Sequence, residues 1–250
     1  MRRMLGVTHE ANGRPLALHN HAVPVPRLPG ASDGPTTIDR RDLARWIAAD
    51  SEGRSRYLFG VAGGPGSGKS TIAAHLADEL DGVVVPMDGF HLSNAALDAL
   101  NLRAFKGSVE TFDADAFVAL IERLRDNSAD VLAPAFDRRA DSTVPDAICI
   151  GRDERIVIVE GNYLLHDRDP WARVRHLVDR TGYVDTTDGV RVRRLVRRHV
   201  RSGRSVQEAR EFVRTSDERN ARLIAAGRDR ADLVIASSPQ GRTHVGSLVR

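Results

Sequence analysis

The sequence predicts an α/β fold with a parallel sheet, because short apolar runs typical of buried strands alternate along the chain with amphipathic helical segments. One strand-like run at 57–62 leads into the glycine-rich stretch GGPGSGKS at 63–70, and a helical pattern follows to Leu80. This stretch matches GxxxxGK[ST] at the point where a strand must end and a helix begin. The three observations together predict a three-layer P-loop NTPase fold.

The P-loop predicts a polyphosphate site, because its backbone N–H groups and the following helix N-terminus attract anions. Only two of the 37 Lys+Arg residues are lysines, Lys69 and Lys106. We expect Lys69 to reach the outer phosphates and Ser70 to hold Mg²⁺, so ATP and Mg²⁺ are the predicted cofactors. The predicted cofactor-binding residues are Gly63, Gly64, Pro65, Gly66, Ser67, Gly68, Lys69, Ser70 and Thr71.

Length and composition fit one domain without export or membrane signals. The chain has 250 residues, a net charge of +3 and one cysteine, Cys149. No segment approaches the ~18 apolar residues that a membrane span needs, and the N-terminus lacks a secretory apolar stretch. We therefore expect a cytoplasmic protein that contacts no membrane. Residues 1–35, rich in proline, are interpreted as an extended or disordered leader and 36–250 as the folded domain.

Two acidic residues follow strand-like runs. Asp88 ends GVVVPMD, which we interpret as a fully covered parallel strand, and Glu160 ends RIVIVE. Ligands of open α/β sheets bind at the carboxyl ends of the strands, so Asp88 is a candidate catalytic residue, with a helix N-cap as the alternative. Glu160 occupies the place of a Walker B acid beside magnesium, with an ordinary strand-end acid as the alternative.

The remaining segments give a coarse secondary-structure prediction. Residues 89–112, which include Lys106, form a long connection that we interpret as a substrate-facing flap. The other predicted elements are a helix at 39–50 capped by Thr36 or Thr37, a helix at 113–124 capped by Asp113, a hairpin at 131–150, a helix at 207–225 and strands at 182–185 and 231–236.

The segment 190–204 is a strongly basic helix. Its apolar stripe is Val192, Leu195, Val196, His199 and Val200, and its opposite side carries Arg194, Arg197, Arg198 and Arg201. Such a helix can be a solvated face, a nucleic-acid stripe or a lid that places arginines around a transferred phosphoryl group. The P-loop in the same chain favours the lid.

Sequence features that the chain lacks argue against two classes of P-loop protein. A GTPase needs an [NT]KxD motif, and neither lysine provides one. Aromatic residues are 5% of the chain, and none lies in the basic helix, which disfavours single-stranded nucleic acid as a partner. A small-molecule kinase is the favoured class. A nucleotide-dependent regulatory or RNA-binding P-loop protein without kinase activity is the alternative.

An ordered set of further motifs carries a family resemblance. They are PMDGFHL, ETFD, PAFDR, IVIVEGNYLL, RLVRRH and DERNARLI followed by RADLVI. The chain resembles the uridine kinase, phosphoribulokinase and bacterial pantothenate kinase superfamily, and most of all its nucleoside/nucleotide kinase-like, fructose-kinase-like branch. The resemblance implies a five-stranded parallel sheet, an arginine-rich helical lid at about 186–220 and ATP-dependent phosphorylation of a hydroxyl group on a small metabolite, such as a nucleoside, a sugar or a pantothenate-like alcohol.

The resemblance also implies roles for individual residues. Asp88 is the expected base, Lys69, Arg194 and Arg198 are the expected catalytic cations, and Ser70, Glu160 and Asp88 are the expected magnesium site. Phe136 replaces a tyrosine and Asp141 a histidine of the uridine kinase pattern, so uridine is not favoured. The expected partner is a small hydroxyl substrate, and a homodimer is left open. The expected substrate-binding residues are Asp88, His91, Lys106, Phe136, Asp137, Asn162 and Asn220.

Overall fold

The computed structural model describes residues 34–236, which form a sheet covered by helices on both faces. Six strands make up the central sheet: β1 (Thr36–Asp39), β2 (Tyr57–Ala62), β3 (Val83–Pro86), β6 (Ile156–Gly161), β7 (Arg180–Asp185) and β8 (Leu233–Ala236). Their order is β1-β8-β7-β2-β6-β3, and every neighbouring pair is parallel. Two further strands, β4 (Val131–Asp137) and β5 (Ser142–Ile150), form the predicted antiparallel hairpin.

Residues 34–236 contain eight α-helices. They are α1 (Arg40–Asp50), α2 (Lys69–Leu80), α3 (Asn94–Ala99), α4 (Ala114–Asp126), α5 (Val174–Leu177), α6 (Asp188–Arg201), α7 (Val206–Phe212) and α8 (Glu218–Ala225). Alternate residues of β2 enter two separate cores. Leu58 and Ala62 pack on the side of α4, and Tyr57, Phe59 and Val61 pack on the side of α1 and α2. Because both faces are covered, β2 and β6 are buried throughout.

The predicted α/β fold with a parallel sheet is confirmed, but the strand count differs. Residues 36–39 add a sixth strand, which pairs with β8. The prediction that Thr36 or Thr37 caps α1 is therefore wrong, since both lie in β1. Asp39 is the cap, and its carboxylate accepts a hydrogen bond from the Arg41 amide at 2.9 Å. A four-residue edge strand has too few residues for a clear alternation pattern.

Other elements differ in detail. β3 lies at the sheet edge, where Val83 and Val84 are half-buried, so the interpretation as a fully covered strand is wrong. The flap contains α3, and the helix predicted at 207–225 is divided by a π-helical stretch, Val213–Asp217. Asp113 caps α4 as predicted. Residues 1–33 of the predicted leader lie outside the described residues, and within 34–236 no helix is long and apolar enough to cross a bilayer.

Candidate active site

The P-loop joins β2 to α2 and contains three glycines with positive φ, Gly63, Gly66 and Gly68. Gly68, with φ of 96°, precedes α2, and Gly66, with φ of 76°, lies against α6. A Cβ on Gly66 would lie 2.8 Å from the Arg191 carbonyl oxygen and 2.9 Å from a Leu195 carbon. Glycine is therefore needed here for the conformation and for the close approach of a neighbouring helix.

Helix α6 holds the P-loop from outside through arginine side chains. Arg191 donates from Nη1 to the Pro65 carbonyl at 3.1 Å, and Arg194 donates to the Gly66 and Ser67 carbonyls at 3.2 and 3.0 Å. Arg191 is buried, whereas Val200 is exposed, so the predicted apolar stripe is only partly correct. The reason is that α6 covers polar backbone, which needs hydrogen-bond donors rather than apolar side chains.

Ser70 and Glu160 meet at the start of α2. The Ser70 hydroxyl donates to both carboxylate oxygens of Glu160, each at 3.3 Å. Burial raises the pKa of Glu160, and the neighbouring charge of Lys69 opposes this shift. Residues 34–236 contain no cluster of three or more His, Cys, Asp or Glu suited to a metal. A hydroxyl and one carboxylate nevertheless fit Mg²⁺, which takes few protein ligands and completes its shell with water and phosphate oxygens.

Asp88 lies at the same edge of the sheet as Glu160. Glu160 is in register with Val61 of β2 and Pro86 of β3, so both acids and the P-loop emerge where these strands end. The charge of Asp88 acts on the pKa of Glu160, as does that of Lys69. The Asp88 side chain is partly exposed, and its Oδ2 accepts a hydrogen bond from Nη2 of Arg138 at 2.5 Å. The structure therefore brings together four of the predicted catalytic and metal-binding residues, Lys69, Ser70, Asp88 and Glu160.

His91 is fixed beside Asp88 by two aromatic rings. Its ring centroid lies 4.0 Å from that of Phe112 and 4.8 Å from that of Phe136, and burial lowers its pKa. The imidazole is thus neutral near pH 7, and its Nδ1–H donates to the Asp88 carbonyl at 2.8 Å. This contact leaves Nε2 as an acceptor. Both predicted residues, His91 and Phe136, border the crevice that contains Asp88.

Lys106 joins the flap to the hairpin. Its ammonium donates to Asn94 Oδ1 at 2.8 Å and to the Asp141 carboxylate and carbonyl at 2.8 and 3.1 Å. It also lies 5.0 Å from the centroid of the Phe136 ring. All three ammonium donors therefore have partners within the protein, and through them Lys106 holds the hairpin against the flap.

Three other predicted substrate residues have different surroundings. Asp137 accepts hydrogen bonds from the Arg139 and Ala140 amides within the hairpin turn. Asn162 carries a buried amide oxygen without a hydrogen-bond partner in the described part of the chain, which is uncommon in folded proteins. Asn220 donates to the Gly107 carbonyl at 3.2 Å and lines a cavity of about 440 Å³ whose lining residues do not include Asp88, Lys69 or Glu160.

The predicted lid arginines, Arg194 and Arg198, have different partners. Arg194 is occupied by the P-loop carbonyls. Partial burial lowers the pKa of Arg198, while the carboxylates of Asp217 and Asp88 oppose this shift, so Arg198 lies near the proposed base. Sequence reasoning missed two arginines, Arg138 on Asp88 and Arg191 under the P-loop. Arg138 is the last residue of the PAFDR motif, but nothing in its spacing indicated an ion pair.

The fold and this crevice define a P-loop kinase, and comparison with known proteins gives the family. The family model "Phosphoribulokinase / Uridine kinase family" matches residues 58–244. The chain belongs to this family, as the sequence motifs predicted. The predicted resemblance to its fructose-kinase-like branch is likewise confirmed by a solved structure described below.

Three relatives show how similar the chain is to other members. "Putative uridine kinase C227.14" of Schizosaccharomyces pombe is 39% identical over 174 residues, which cover 65% of this chain and 74% of that protein. "ATP-dependent kinase YFH7" of Zygosaccharomyces rouxii is 34% identical, over 56% of this chain and 47% of that longer protein. The crystal structure of a "putative fructose transport system kinase" from Silicibacter sp. TM1040 has a TM-score of 0.73 at 34% identity, over 79% of this chain and 98% of that one.

Proposed function

We propose that the protein is an ATP- and Mg²⁺-dependent phosphotransferase that phosphorylates a hydroxyl group of a small metabolite, such as a nucleoside, a sugar or a pantothenate-like alcohol. The observation that carries the proposal is the convergence of the P-loop, the Ser70–Glu160 pair and Asp88 at one edge of the sheet. Membership of a kinase family and relatives named as ATP-dependent kinases support it.

Each group has a defined part in this reaction. The P-loop amides and Lys69 bind the phosphates of ATP, and Ser70 and Glu160 hold Mg²⁺, which neutralises developing charge on the phosphates when bound. Asp88 accepts the proton of the acceptor hydroxyl. The hydroxyl oxygen forms a bond to the γ-phosphorus as the bond to the bridging oxygen breaks, and ADP leaves. Arg198, which lies near Asp88, is placed to offset negative charge on the moving phosphoryl group.

The experiment is an ADP-release assay with a panel of nucleosides, sugars and vitamin alcohols. We expect one group of acceptors to accelerate ADP formation. Lys69→Ala should abolish the reaction, because this cation has no substitute in the P-loop. Asp88→Asn should leave nucleotide affinity nearly intact and lower turnover by roughly 10²- to 10⁴-fold, the range for loss of a general base.

Two results would count against the proposal. Full turnover in the Asp88→Asn variant would exclude Asp88 as the base, and strong activity in the Lys69→Ala variant would exclude the P-loop as the ATP site. A panel without any active acceptor, combined with a salt-dependent gel shift on RNA, would instead favour a nucleotide-dependent RNA-binding protein.

A further inference from the structure

The tip of the β4–β5 hairpin places one arginine directly on the proposed base. Nη2 of Arg138 lies 2.5 Å from Oδ2 of Asp88, although the two residues are 50 positions apart in the chain. The Arg138 side chain is 62% exposed, so it is reachable by a small molecule that enters the crevice. An exposed side chain contributes little to the stability of the core. Because this one contacts the proposed base, it can instead contact the acceptor.

The hairpin tip is held in place on both sides of Arg138. Asp137 closes the turn by accepting hydrogen bonds from the Arg139 and Ala140 amides at 2.7 and 3.2 Å. On the far side, the Asp141 carboxylate accepts hydrogen bonds from Lys106 and Asn94. The fixed turn means that the Arg138 backbone is positioned before any ligand binds, which lowers the entropic cost of using its side chain for binding.

The base of the hairpin is fixed as well. Gly89, the neighbour of Asp88, packs so closely on the Pro134 carbonyl that a Cβ at this position would overlap with it. The turn that carries Asp88 and the strand that leads to Arg138 therefore form one unit. The contact between Arg138 and Asp88 is therefore fixed by the packing of the two segments that carry them.

Arg138 uses one guanidinium nitrogen on Asp88, and its other nitrogens have no hydrogen-bond partner among residues 34–236. The charge of Arg138 also acts on the pKa values of Glu160 and Arg198, so its guanidinium lies near both side chains. Two guanidinium groups thus lie near one carboxylate that the reaction also requires. Arginine presents a planar set of donors that matches carboxylate and phosphate oxygens, so a second oxyanion is the partner that this arrangement fits.

We propose that Arg138 selects acceptors that carry an oxyanion, a carboxylate or a phosphate, in addition to the hydroxyl that is phosphorylated. This inference rests on the proposed kinase function. In the free protein Arg138 donates to Oδ2 of Asp88 and leaves Oδ1 without a hydrogen-bond partner among residues 34–236. Asp88 can therefore accept the hydroxyl proton while the remaining guanidinium donors of Arg138 bind an oxyanion of the same acceptor. A neutral alcohol offers the guanidinium no charged partner.

The test compares acceptors that differ only in the oxyanion. Suitable pairs are pantothenate with pantothenol, glycerate with glycerol, and ribose 5-phosphate with ribose, which also separate carboxylate from phosphate. We expect the anionic member of the accepted pair to have a kcat/KM higher by about 10- to 100-fold, the range for a charged hydrogen bond. Arg138→Ala should remove this preference within the pair.

Arg139→Ala is the matched control, because Arg139 is the next residue on the same turn and contributes only its backbone amide to the contacts of the described residues. It should retain the wild-type preference. Equal kcat/KM for both members in the wild type, or an unchanged preference in Arg138→Ala, would overturn the inference while leaving the kinase function intact. Matching unfolding midpoints of the two variants would show that both are folded.

A binding experiment separates this inference from the kinase proposal. The protein is first saturated with Mg²⁺ and a non-hydrolysable ATP analogue, which fills the P-loop, and is then titrated calorimetrically with malonate or inorganic phosphate. We expect binding by the wild type and Arg139→Ala and at least about tenfold weaker binding by Arg138→Ala. Such a result without any ADP formation would keep the oxyanion site and reject the kinase. Absence of oxyanion binding to the wild type would reject the site.

Discussion

Arg191 of α6 donates to the carbonyl oxygen of Pro65 in the P-loop at 3.1 Å, from a side chain that is almost completely buried. The same guanidinium contacts Asp188 at 2.8 Å and Glu218 of α8 at 2.9 Å. One buried cation therefore connects the phosphate-binding loop with two helices of the predicted lid segment. The position of this segment and the shape of the P-loop are consequently coupled.

Replacing Arg191 by alanine should weaken both nucleotide binding and folding. Glu218 is 24% exposed and would lose its cationic partner, so we expect a cost below the roughly 3–5 kcal/mol measured when a fully buried ion pair is broken. Pro65 would lose a donor, and the P-loop would be less ordered before ATP binds. Denaturant titration and the affinity for a fluorescent ATP analogue measure the two effects.

Arg193→Ala is the control for this prediction, because Arg193 is on the same helix, is exposed and makes no ion pair among residues 34–236. It should change neither quantity by more than the ~0.5 kcal/mol usual for surface substitutions. Wild-type ATP affinity in the Arg191→Ala variant would show that α6 does not order the P-loop.

A second prediction concerns the pH dependence introduced by Glu160. Burial raises the pKa of this carboxyl above its ordinary value of 4.5, so the folded protein holds its proton to a higher pH than the unfolded chain does. Stability therefore falls as the pH rises from 4.5 through the folded-state pKa. Glu160→Gln should be more stable than the wild type near pH ~8 without ligands, and the difference should vanish below 4.5.

The Glu160→Gln variant should also lose most of the stabilisation that Mg·ADP gives the wild type. Mg·ADP should raise the unfolding temperature of the wild type, because a ligand that binds only the folded state stabilises it, and should raise that of Glu160→Gln much less. The measurement is thermal unfolding of both proteins near pH ~8 and below pH ~4.5, each with and without Mg·ADP. A Glu160→Gln protein that is less stable than the wild type at high pH would contradict the raised pKa of Glu160. A variant that Mg·ADP stabilises as much as it does the wild type would contradict the metal-site interpretation.

The parts of this site that depend on short stretches of chain could be predicted from the sequence. The P-loop, Asp88 and Glu160 each follow a run of apolar residues, and the ends of parallel strands meet at one edge of a sheet. The position of these groups thus follows from local pattern plus one topological rule. The hairpin and the Asp113 cap also depend on short stretches of chain, and both were predicted correctly.

The parts that depend on contacts between distant segments could not be predicted. β1 has four residues and exists because β8 offers it an edge. Arg138 and Arg191 are two of many arginines, and their importance comes from partners 50 and 126 residues away in the chain. A periodic pattern reports which side of a helix is apolar, but α6 covers a polar loop. Its buried face therefore includes Arg191, which lies one turn before Leu195 on the same side of the helix.

A third prediction tests the link between the flap and the hairpin. Lys106→Met would remove three hydrogen bonds to Asn94 and Asp141 while retaining a long apolar side chain. The hairpin tip should become more mobile, so the amide hydrogens of Arg139 and Ala140 should exchange faster by hydrogen–deuterium exchange mass spectrometry. ATP affinity should stay unchanged, since Lys106 does not contact the P-loop.

The control for this prediction is Arg103→Ala, in the same flap. Arg103 is exposed and its ion pair is with Asp98 at 3.2 Å, within the flap itself. Exchange at the hairpin tip should stay at the wild-type rate in this variant. Unchanged exchange in Lys106→Met would mean that the turn hydrogen bonds of Asp137 suffice to order the tip.

A fourth prediction concerns stability on the opposite side of the sheet from the hairpin. The Tyr57 hydroxyl donates to Asp50 Oδ2 at 2.6 Å, and Tyr57 is fully buried where β2 begins. Tyr57→Phe keeps the ring and its packing but removes the hydroxyl that joins this strand to the end of α1 by a hydrogen bond. Hydrogen bonds to a charged partner contribute about 1.5–3 kcal/mol, so we expect a loss of stability in that range.

The lower end of that range is the more reasonable expectation, because Arg180 lies 3.4 Å from the same Asp50 oxygen and would still compensate its charge. Tyr183→Phe is the control, since Tyr183 is also buried on the sheet but its hydroxyl makes no hydrogen bond within the described residues. Urea unfolding should therefore show a lower midpoint for Tyr57→Phe than for Tyr183→Phe at equal slope. Equal midpoints would show that Arg180 alone satisfies Asp50, and that the hydroxyl of Tyr57 adds nothing to the attachment of α1.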